Sequence, residues 1–210
     1  MRWVLALLIF LSACAAPNKL YPTLRIPSEY RLSVGWISRC TATLVSPRVV
    51  LTARHCHPLP AIHRFCNGVD PCSTVTRVHV PPTRTDDRWS GDIALLELAE
   101  PIPRPPIAIS EAPLIMLAGE PLYAEGRMGR AYPLEFDHTD LDFIHTLPIG
   151  VERVCFGDSG GPLLASREDG TPVIVGVHSH IWGKRGMRCG TRAAHVRVDP
   201  YANWILERLF

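Results

Sequence analysis

The sequence lacks the marks of a nucleic-acid-binding or membrane-spanning protein. Its 22 lysines and arginines are nearly balanced by 20 aspartates and glutamates, which leaves a net charge of +2, and no stretch is dense in basic residues. Because phosphate contacts need such a patch, nucleic acid is not expected as a partner. The apolar run at residues 3–11 is also too short to cross a bilayer as a helix.

Signs of a metal centre are scarce too. The chain contains no Cys-x-x-Cys pair and no internal repeat. A zinc site formed by His63, Cys66 and Cys72 is an alternative that fits the usual ligand spacing poorly. We therefore expect neither a metal nor any other cofactor.

What is present indicates a folded, β-rich protein. The 47% of hydrophobic residues in 210 is ample for a core, and 20 scattered prolines favour short strands and loops over long helices. Short apolar runs, separated by turn-forming residues, predict antiparallel strands. These runs are residues 32–37, 42–46, 49–52, 75–80, 93–98 and 173–177.

The N-terminal residues predict an export signal. A positive start and a short apolar core are followed by residues 11–14 (L-S-A-C), which resemble the bacterial lipobox. We expect a signal peptide over 1–13, lipidation of Cys14 and a tether over 14–31, so that acyl chains provide the one contact with a membrane. The alternative is ordinary secretion with cleavage after Ala15, since small residues precede that bond as well. Either way the protein is expected to be exported.

Residues 155–162 (C-F-G-D-S-G-G-P) are the most informative stretch of the chain. They place Ser159, a small nucleophile, on a glycine-rich turn. A serine hydroxyl needs an adjacent base, and the intermediate it forms needs donors waiting for the oxyanion. Glycine gives this backbone the freedom to direct the N–H groups of Gly157 and Ser159 at one point.

Two earlier segments supply the partners that such a serine requires. Residues 49–56 form an apolar run that ends in His55 beside a cysteine, and Asp92 leads directly into the apolar run 93–98. A carboxylate of this kind fixes the tautomer of a catalytic histidine and stabilises the imidazolium. Alone, His55 could be a structural histidine and Asp92 a turn residue; together with Ser159 they indicate a catalytic triad.

With the order His, Asp, Ser, the chain resembles the trypsin/chymotrypsin-like serine endopeptidases, as a bacterial lipoprotein-type member. The family motifs T-A-A-H-C, D-I-A-L-L and G-D-S-G-G-P are matched by residues 52–56 (T-A-R-H-C), 92–96 and 157–162. The resemblance extends from about residue 33 to the C-terminus. It implies that His55 is the general base, Asp92 its orienting carboxylate and Ser159 the nucleophile. Gly157 and Ser159 would form the oxyanion hole.

The resemblance also implies the fold. We expect an all-β domain over 32–210, with two six-stranded antiparallel barrels that cross near 101–113 and hold the active site between them. A short C-terminal helix is predicted separately, because Asp199 can cap it and Pro200 suits its first position. Its packing face would be Tyr201, Trp204, Ile205 and Leu209.

Cysteine arithmetic agrees with an exported protein. Seven cysteines become six once Cys14 is set aside, an even number suited to disulfides. The resemblance pairs Cys40 with Cys56 and Cys155 with Cys189, and elimination leaves Cys66 with Cys72.

The specificity pocket departs from the family. The residue six positions before the nucleophile, an aspartate in members that cleave after Lys or Arg, is Arg153 here. A guanidinium binds carboxylates through paired hydrogen bonds. His178, followed by the cleft-lining Ser179, matches a substrate-binding histidine of some glutamate-specific members, and Arg192 is a candidate neighbour. These residues predict cleavage after Glu or Asp. The alternatives are that Arg153 turns to solvent or that Ile181 narrows the pocket.

A further departure concerns activation. The chain has no Ile-Val-Gly-Gly tetrapeptide, whose freed amine pairs in the family with the aspartate equivalent to Asp158. We expect activity without processing, with an internal cation beside Asp158. Residues 40–43 (C-T-A-T) also replace the family's C-G-G-T.

The expected function is a serine endopeptidase that acts on protein or peptide substrates. An inactive binding module on the same fold is the alternative. An esterase with a G-x-S-x-G turn is disfavoured, because that fold requires the order Ser, acid, His.

Overall fold

A computed structural model describes residues 27–56, 63–82, 90–113, 121–126, 130–167 and 169–209. The predicted signal peptide, the lipidation site Cys14 and most of the predicted tether lie outside the described residues. Within the described ranges, no helix combines the length and apolarity needed to cross a membrane.

The first half of the chain forms a closed, antiparallel six-stranded barrel in the order β1-β2-β3-β6-β5-β4. Its central strands β2 and β3 are apolar and almost wholly buried, whereas β5 is half-exposed. The strands are β1 Val34–Ile37, β2 Cys40–Ser46, β3 Val49–Thr52, β4 Arg64–Cys66, β5 Ser73–His79 and β6 Ala94–Leu98.

The second half forms a sheet in the order β11-β8-β9-β10-β13-β12-β7. Because β11 also pairs with β12, six of these strands close into a second antiparallel barrel, and the two-residue β7 lies parallel to β12. The strands are β7 Ala108–Ile109, β8 Pro121–Gly126, β9 Arg130–Thr139, β10 Phe143–Pro148, β11 Pro162–Ser166, β12 Pro172–Trp182 and β13 Arg192–Arg197.

In the part of the chain that the structure describes, two short α-helices flank the barrels. The predicted C-terminal helix is confirmed: a 3₁₀ turn over Asp199–Tyr201 leads into α2, Ala202–Leu206. Tyr201 and Ile205 are buried in a core cluster that includes residues of both barrels, and Trp204 and Leu209 pack against it. The other helix, α1 (Ser28–Arg31), lies in the predicted tether, yet Tyr30 packs against the same cluster. The ordered core therefore already includes residues before 32.

The stretch between β6 and β8 contacts both barrels. The N–H of Ile107 donates to the Leu44 carbonyl in β2, and the N–H of Ser110 donates to the Ile174 carbonyl in β12. Ile102, Ile107 and Ile109 are buried along this path. The predicted crossing at 101–113 thus coincides with a chain segment bonded to each half of the molecule.

The barrels meet at residues 155–162, the segment called the serine loop below. A Cβ placed on Gly160 would lie 2.2 Å from Thr52 Oγ1 and 2.3 Å from the Thr41 carbonyl oxygen. Gly160 also has a φ of +83°, a left-handed conformation that favours glycine. Only a residue without a side chain fits at this contact.

All three predicted disulfides are present: Cys40–Cys56, Cys66–Cys72 and Cys155–Cys189. The alternative zinc site at His63, Cys66 and Cys72 is therefore wrong, because both sulfurs are consumed in a disulfide and thiolates are the ligands that zinc requires.

Candidate active site

Strand pairing brings His55 and Asp92 together. His55 lies in the 3₁₀ turn that follows β3, and Asp92 lies just before β6; β3 and β6 pair with Thr52 opposite Ala94. As a result His55 Nδ1 is 2.8 Å from Asp92 Oδ2, and the backbone N–H of His55 donates to Asp92 Oδ1 at 2.9 Å. Two contacts to one carboxylate fix both the ring and its backbone.

Asp92 is buried and accepts a third hydrogen bond. The Ser179 hydroxyl donates to Asp92 Oδ2 at 2.5 Å. Burial alone would raise the pKa of Asp92, but the hydrogen bonds and charge of His55, together with Ser179, hold it below the usual value. An ionised Asp92 requires the proton of His55 to lie on Nδ1, which leaves Nε2 able to accept one.

Ser159 opens onto the same cleft as His55. The cleft has a volume of about 330 Å³ and is lined by both polar and apolar side chains. The lining residues are His55, Val154, Cys155, Phe156, Ser159, His178, Ser179, His180 and Ile181. The structure thus places the predicted base and nucleophile on one cavity, each from a different barrel.

Among the described residues, the Ser159 hydroxyl and the predicted oxyanion donors make no hydrogen bonds. Ser159 Oγ makes no hydrogen bond to a described residue, and the same holds for the N–H groups of Gly157 and Ser159. Catalytic contacts are often loose before substrate binds, so the geometry is compatible with a triad that tightens on binding. Gly157 has a φ of +104°, which only glycine adopts readily.

Asp158, next to the nucleophile, is buried, and two of its described hydrogen bonds come from neutral donors. The Tyr132 hydroxyl donates to Asp158 Oδ2 at 2.8 Å, and the Cys155 N–H donates to the same oxygen at 2.9 Å. Gly126 makes room for this carboxylate, since a Cβ there would lie 2.2 Å from Oδ1. Tyr132 in β9 is a partner that the sequence does not reveal, and the internal cation beside Asp158 stays a prediction.

A buried histidine pair lies behind the cleft. The register of β12 and β13 sets His178 opposite His195, with their Nδ1 atoms 2.5 Å apart, and His195 Nε2 is 2.7 Å from Thr146 Oγ1. His178 Nε2 is buried and makes no hydrogen bond to a described group. Burial lowers the pKa of His178 to about 4, although the charge of Asp158 opposes this, and burial also lowers the pKa of His195 well below its usual value.

The predicted arginines are not brought into the cleft among the described residues. Arg153 is half-buried and does not line it, whereas its neighbour Val154 does. Arg192 lines a separate small cavity and pairs with Asp137 at 3.3 Å. His178, Ser179 and Ile181 all line the cleft, so its polar recognition groups come from β12.

A buried carboxyl lies beside this site. Glu125, in β8, is fully buried, and neither carboxyl oxygen has a hydrogen-bond partner among the described residues. Its carbonyl oxygen would be 2.5 Å from a Cβ on Gly161, so its backbone abuts the serine loop. Burial raises the pKa of Glu125 to about 8, although the charge of Arg31 opposes this. The group is therefore neutral in the folded protein at neutral pH.

We expect Glu125 to make the protein less stable as pH rises from about 4.5 to 8. In this window the unfolded chain ionises Glu125 and the folded protein does not, so the free energy of unfolding falls by about 1.4 kcal/mol per pH unit from this group. The variant Glu125→Gln should lack that component. Denaturant unfolding with the disulfides intact, repeated across this pH range, measures the difference.

A matched control is Glu111→Gln, which alters an exposed glutamate. Its stability curve should run parallel to that of the wild type. Parallel curves for Glu125→Gln and the wild type would show that the Glu125 carboxyl ionises at the same pH in the folded and unfolded protein.

Comparison with known proteins agrees with this geometry. The chain matches the Trypsin family over residues 22–126 and 121–205. It is 25% identical over 206 residues to a trypsin of Saccharopolyspora erythraea, covering 81% of this chain and 86% of that protein. It is 27% identical over 236 aligned residues to chymotrypsin-C of Mus musculus, covering 93% and 86% respectively.

The fold is similar to that of a solved human structure. Human heparin binding protein superposes with a TM-score of 0.68 at 16% identity, covering 86% of this chain and 92% of that one. At this identity the likeness concerns the fold alone, two barrels with a cleft between them. Since the family match spans most of the sequence and the architecture agrees with it, this chain belongs to the trypsin family.

Proposed function

We propose that the protein is a serine endopeptidase that hydrolyses peptide bonds through an acyl-enzyme intermediate. The observation that carries the proposal is the Asp92–His55 pair, held at 2.8 Å on the cleft that Ser159 also lines. A buried, ionised carboxylate behind a half-exposed imidazole is the arrangement that a general base requires. Family membership supports the same activity.

In the first half of the reaction, Ser159 Oγ attacks the carbonyl carbon of the scissile bond while its proton passes to His55 Nε2. The carbonyl oxygen takes the negative charge and is met by the N–H groups of Gly157 and Ser159. Asp92 stabilises the imidazolium without taking its proton. The C–N bond then breaks, and the proton on His55 leaves with the amine product.

In the second half, water attacks the acyl ester. His55 Nε2 accepts a proton from that water, the same donors stabilise the second tetrahedral intermediate, and its collapse returns the proton to Ser159 Oγ. The acid product leaves the cleft, and each group is restored to its starting state.

We further propose a preference for Glu or Asp before the scissile bond, supported by the histidine pair. The Thr146 hydroxyl is buried, and its described partner is His195 Nε2, so we assign the proton of this contact to Thr146. His195 Nε2 then accepts, its Nδ1–H donates to His178 Nδ1, and the remaining proton of His178 lies on Nε2. That assignment leaves His178 Nε2–H as a buried donor without a described partner, on a side chain that lines the cleft, and a substrate carboxylate that reaches it would accept the bond.

The apolar wall formed by Val154 and Ile181 would strengthen such a bond, because a low-dielectric surrounding favours charge-assisted hydrogen bonds. Arg153 contributes nothing to this argument in its described position. The preference therefore rests on His178.

A panel of peptides that differ only in the residue before the scissile bond tests both proposals. We expect hydrolysis, with kcat/KM for Glu or Asp about 10- to 100-fold above that for Gln, since a hydrogen bond to a charged group contributes roughly 1.5–3 kcal/mol. The variant His178→Gln should reduce this ratio. His138→Gln, a half-exposed histidine away from the cleft, is the matched control and should leave it unchanged.

A clear preference for Lys or Phe would refute the acidic specificity while leaving the endopeptidase proposal in place. An inactive binding module is the second candidate, favoured by the missing hydrogen bond at Ser159 Oγ among described contacts. Hydrolysis of any peptide in the panel would exclude it.

We also propose that residues 32–210 form the protease domain of an exported protein, preceded by a signal peptide (1–13) and by a segment (14–31) that tethers the domain and whose last residues, in α1, pack against its core. The three disulfides support export, since they pair all six cysteines that remain when Cys14 is set aside. The mass of the mature N-terminal peptide distinguishes a lipidated Cys14 from cleavage after Ala15; an uncleaved N-terminus would contradict both.

A further inference from the structure

One of the two residues that depart from the family's C-G-G-T motif, Thr41, contacts the serine loop at two points. Thr41 is fully buried in β2 of the first barrel. Its hydroxyl donates to the Gly157 carbonyl at 2.9 Å, and its backbone N–H donates to the Ser159 carbonyl at 2.8 Å. Where the related motif has glycine, no side-chain donor exists. The bond from Thr41 Oγ1 is therefore a property of this chain.

These two contacts bracket the predicted oxyanion donors. A peptide N–H can rotate away from a cleft only if the peptide units on either side of it adjust. Along the backbone, the N–H of Gly157 has a fixed group on either side. The preceding Phe156 N–H donates to the Arg188 carbonyl, and the following Gly157 carbonyl accepts from Thr41. The N–H of Ser159 lies between the Gly157 carbonyl and the Ser159 carbonyl, both held by Thr41.

Local backbone freedom makes such a restraint matter. Gly157 has a φ of +104° and Gly160 a φ of +83°, and glycine reaches many other conformations at little cost. A catalytic donor contributes most when it is already oriented before the charge develops, because no reorganisation is then needed. Thr41 is itself fixed, since the Thr52 hydroxyl donates to its carbonyl at 2.8 Å.

We propose that Thr41 is a positioning residue: its hydroxyl holds the Gly157 carbonyl and thereby keeps the oxyanion hole formed before substrate binds. The inference rests on the proposed function, because it assigns a role within that reaction. Thr41 contacts neither substrate nor the reacting atoms. Its effect reaches the oxyanion through the backbone of Gly157.

The test compares three variants. Thr41→Val removes the hydroxyl at almost constant volume, Thr41→Ser keeps it, and Thr43→Val makes the same change two residues along the strand. Thr43 is the matched control, since its buried hydroxyl has no hydrogen-bond partner among the described residues. For each variant, kcat and KM are measured with the best peptide, together with the affinity for a peptide boronic acid, whose tetrahedral adduct with Ser159 places an oxygen in the oxyanion hole.

For Thr41→Val we expect kcat to fall about tenfold with little change in KM, and boronic-acid affinity to fall by a similar factor, the effect of losing roughly one hydrogen bond. Thr41→Ser should restore both quantities, and Thr43→Val should leave both at wild-type values. Equal losses in Thr41→Val and Thr43→Val would assign the effect to packing and overturn the proposal. Wild-type kcat in Thr41→Val would overturn it as well.

A second measurement does not depend on catalysis. Relaxation dispersion of the backbone amides of Gly157 and Ser159 should show new exchange on the microsecond-to-millisecond timescale in Thr41→Val but not in Thr43→Val. If the wild type cleaves no peptide, the proposed function fails. The amide exchange alone then decides whether Thr41 restrains the loop, and unchanged exchange in Thr41→Val refutes it.

Discussion

Replacing Ser159 by alanine is expected to lower kcat for peptide hydrolysis by about a millionfold while KM stays within about threefold. Without Oγ no acyl-enzyme can form, and the residual rate comes from the oxyanion donors and from substrate positioning. A fluorophosphonate probe provides the second measurement, because it labels only an activated serine. The wild type should gain the probe's mass, and Ser159→Ala should not.

Ser166→Ala is the matched control for this experiment, since Ser166 is an exposed serine at the end of β11. It should keep both activity and labelling. Labelling that persists in Ser159→Ala would place the reactive nucleophile elsewhere and remove the basis of the proposed function. A wild type that takes up no probe would favour the inactive binding module.

Changing Asp92 to asparagine is expected to reduce kcat by about 10⁴-fold. Asparagine fits the same space, but only one of its two terminal atoms is an oxygen that can accept. Asp92 accepts at both oxygens, from the His55 backbone N–H at Oδ1 and from the His55 ring and the Ser179 hydroxyl at Oδ2. The ring then takes the tautomer with its proton on Nε2, and it cannot accept the proton of Ser159. Steady-state kinetics with the best peptide measure the loss.

Ser179→Ala gives a graded comparison for Asp92. It removes one of the hydrogen bonds to the carboxylate and leaves the charge, so we expect a loss of about tenfold. Far-ultraviolet circular dichroism should show that both variants remain folded. A value of kcat for Asp92→Asn within tenfold of the wild type would mean that His55 does not depend on this carboxylate.

The three segments of the candidate site could be picked out from the sequence because each has a distinctive short motif. The pairing of β3 with β6 then brings His55 to Asp92, as the motif order implied. The two barrels and the disulfides Cys40–Cys56 and Cys155–Cys189 followed from the same resemblance, and Cys66–Cys72 followed by elimination. The cleft positions of His178 and Ser179 were also predicted, since they lie on one strand near the nucleophile.

Contacts between distant strands could not be predicted. Ser179 was expected to bind substrate, but it also bonds to Asp92, 87 residues away. The pairing of His178 with His195 depends on the register of β12 against β13, and this register includes a bulge after His178. Tyr132 reaches Asp158 from another strand in the same way. No local pattern specifies such contacts.

Side-chain direction was the other quantity outside the reach of the sequence. Arg153 occupies the position that determines substrate specificity in the family, yet the residue that lines the cleft is its neighbour Val154. Because the lining position falls one residue later on this irregular loop, the isopropyl group of Val154 lines the cleft and the guanidinium of Arg153 does not. Thr41 shows the converse, since a departure from the family motif supplies a hydrogen bond to the serine loop.

The tight fit of Gly160 against Thr41 and Thr52 bears on how the molecule could be re-engineered. Its two halves are not interchangeable modules, although each has its own barrel. A chimera that took one half from a relative would have to carry over both sides of this contact, or the base and the nucleophile would be pushed apart. Grafting for new specificity is therefore better confined to β12 and the loops around the cleft.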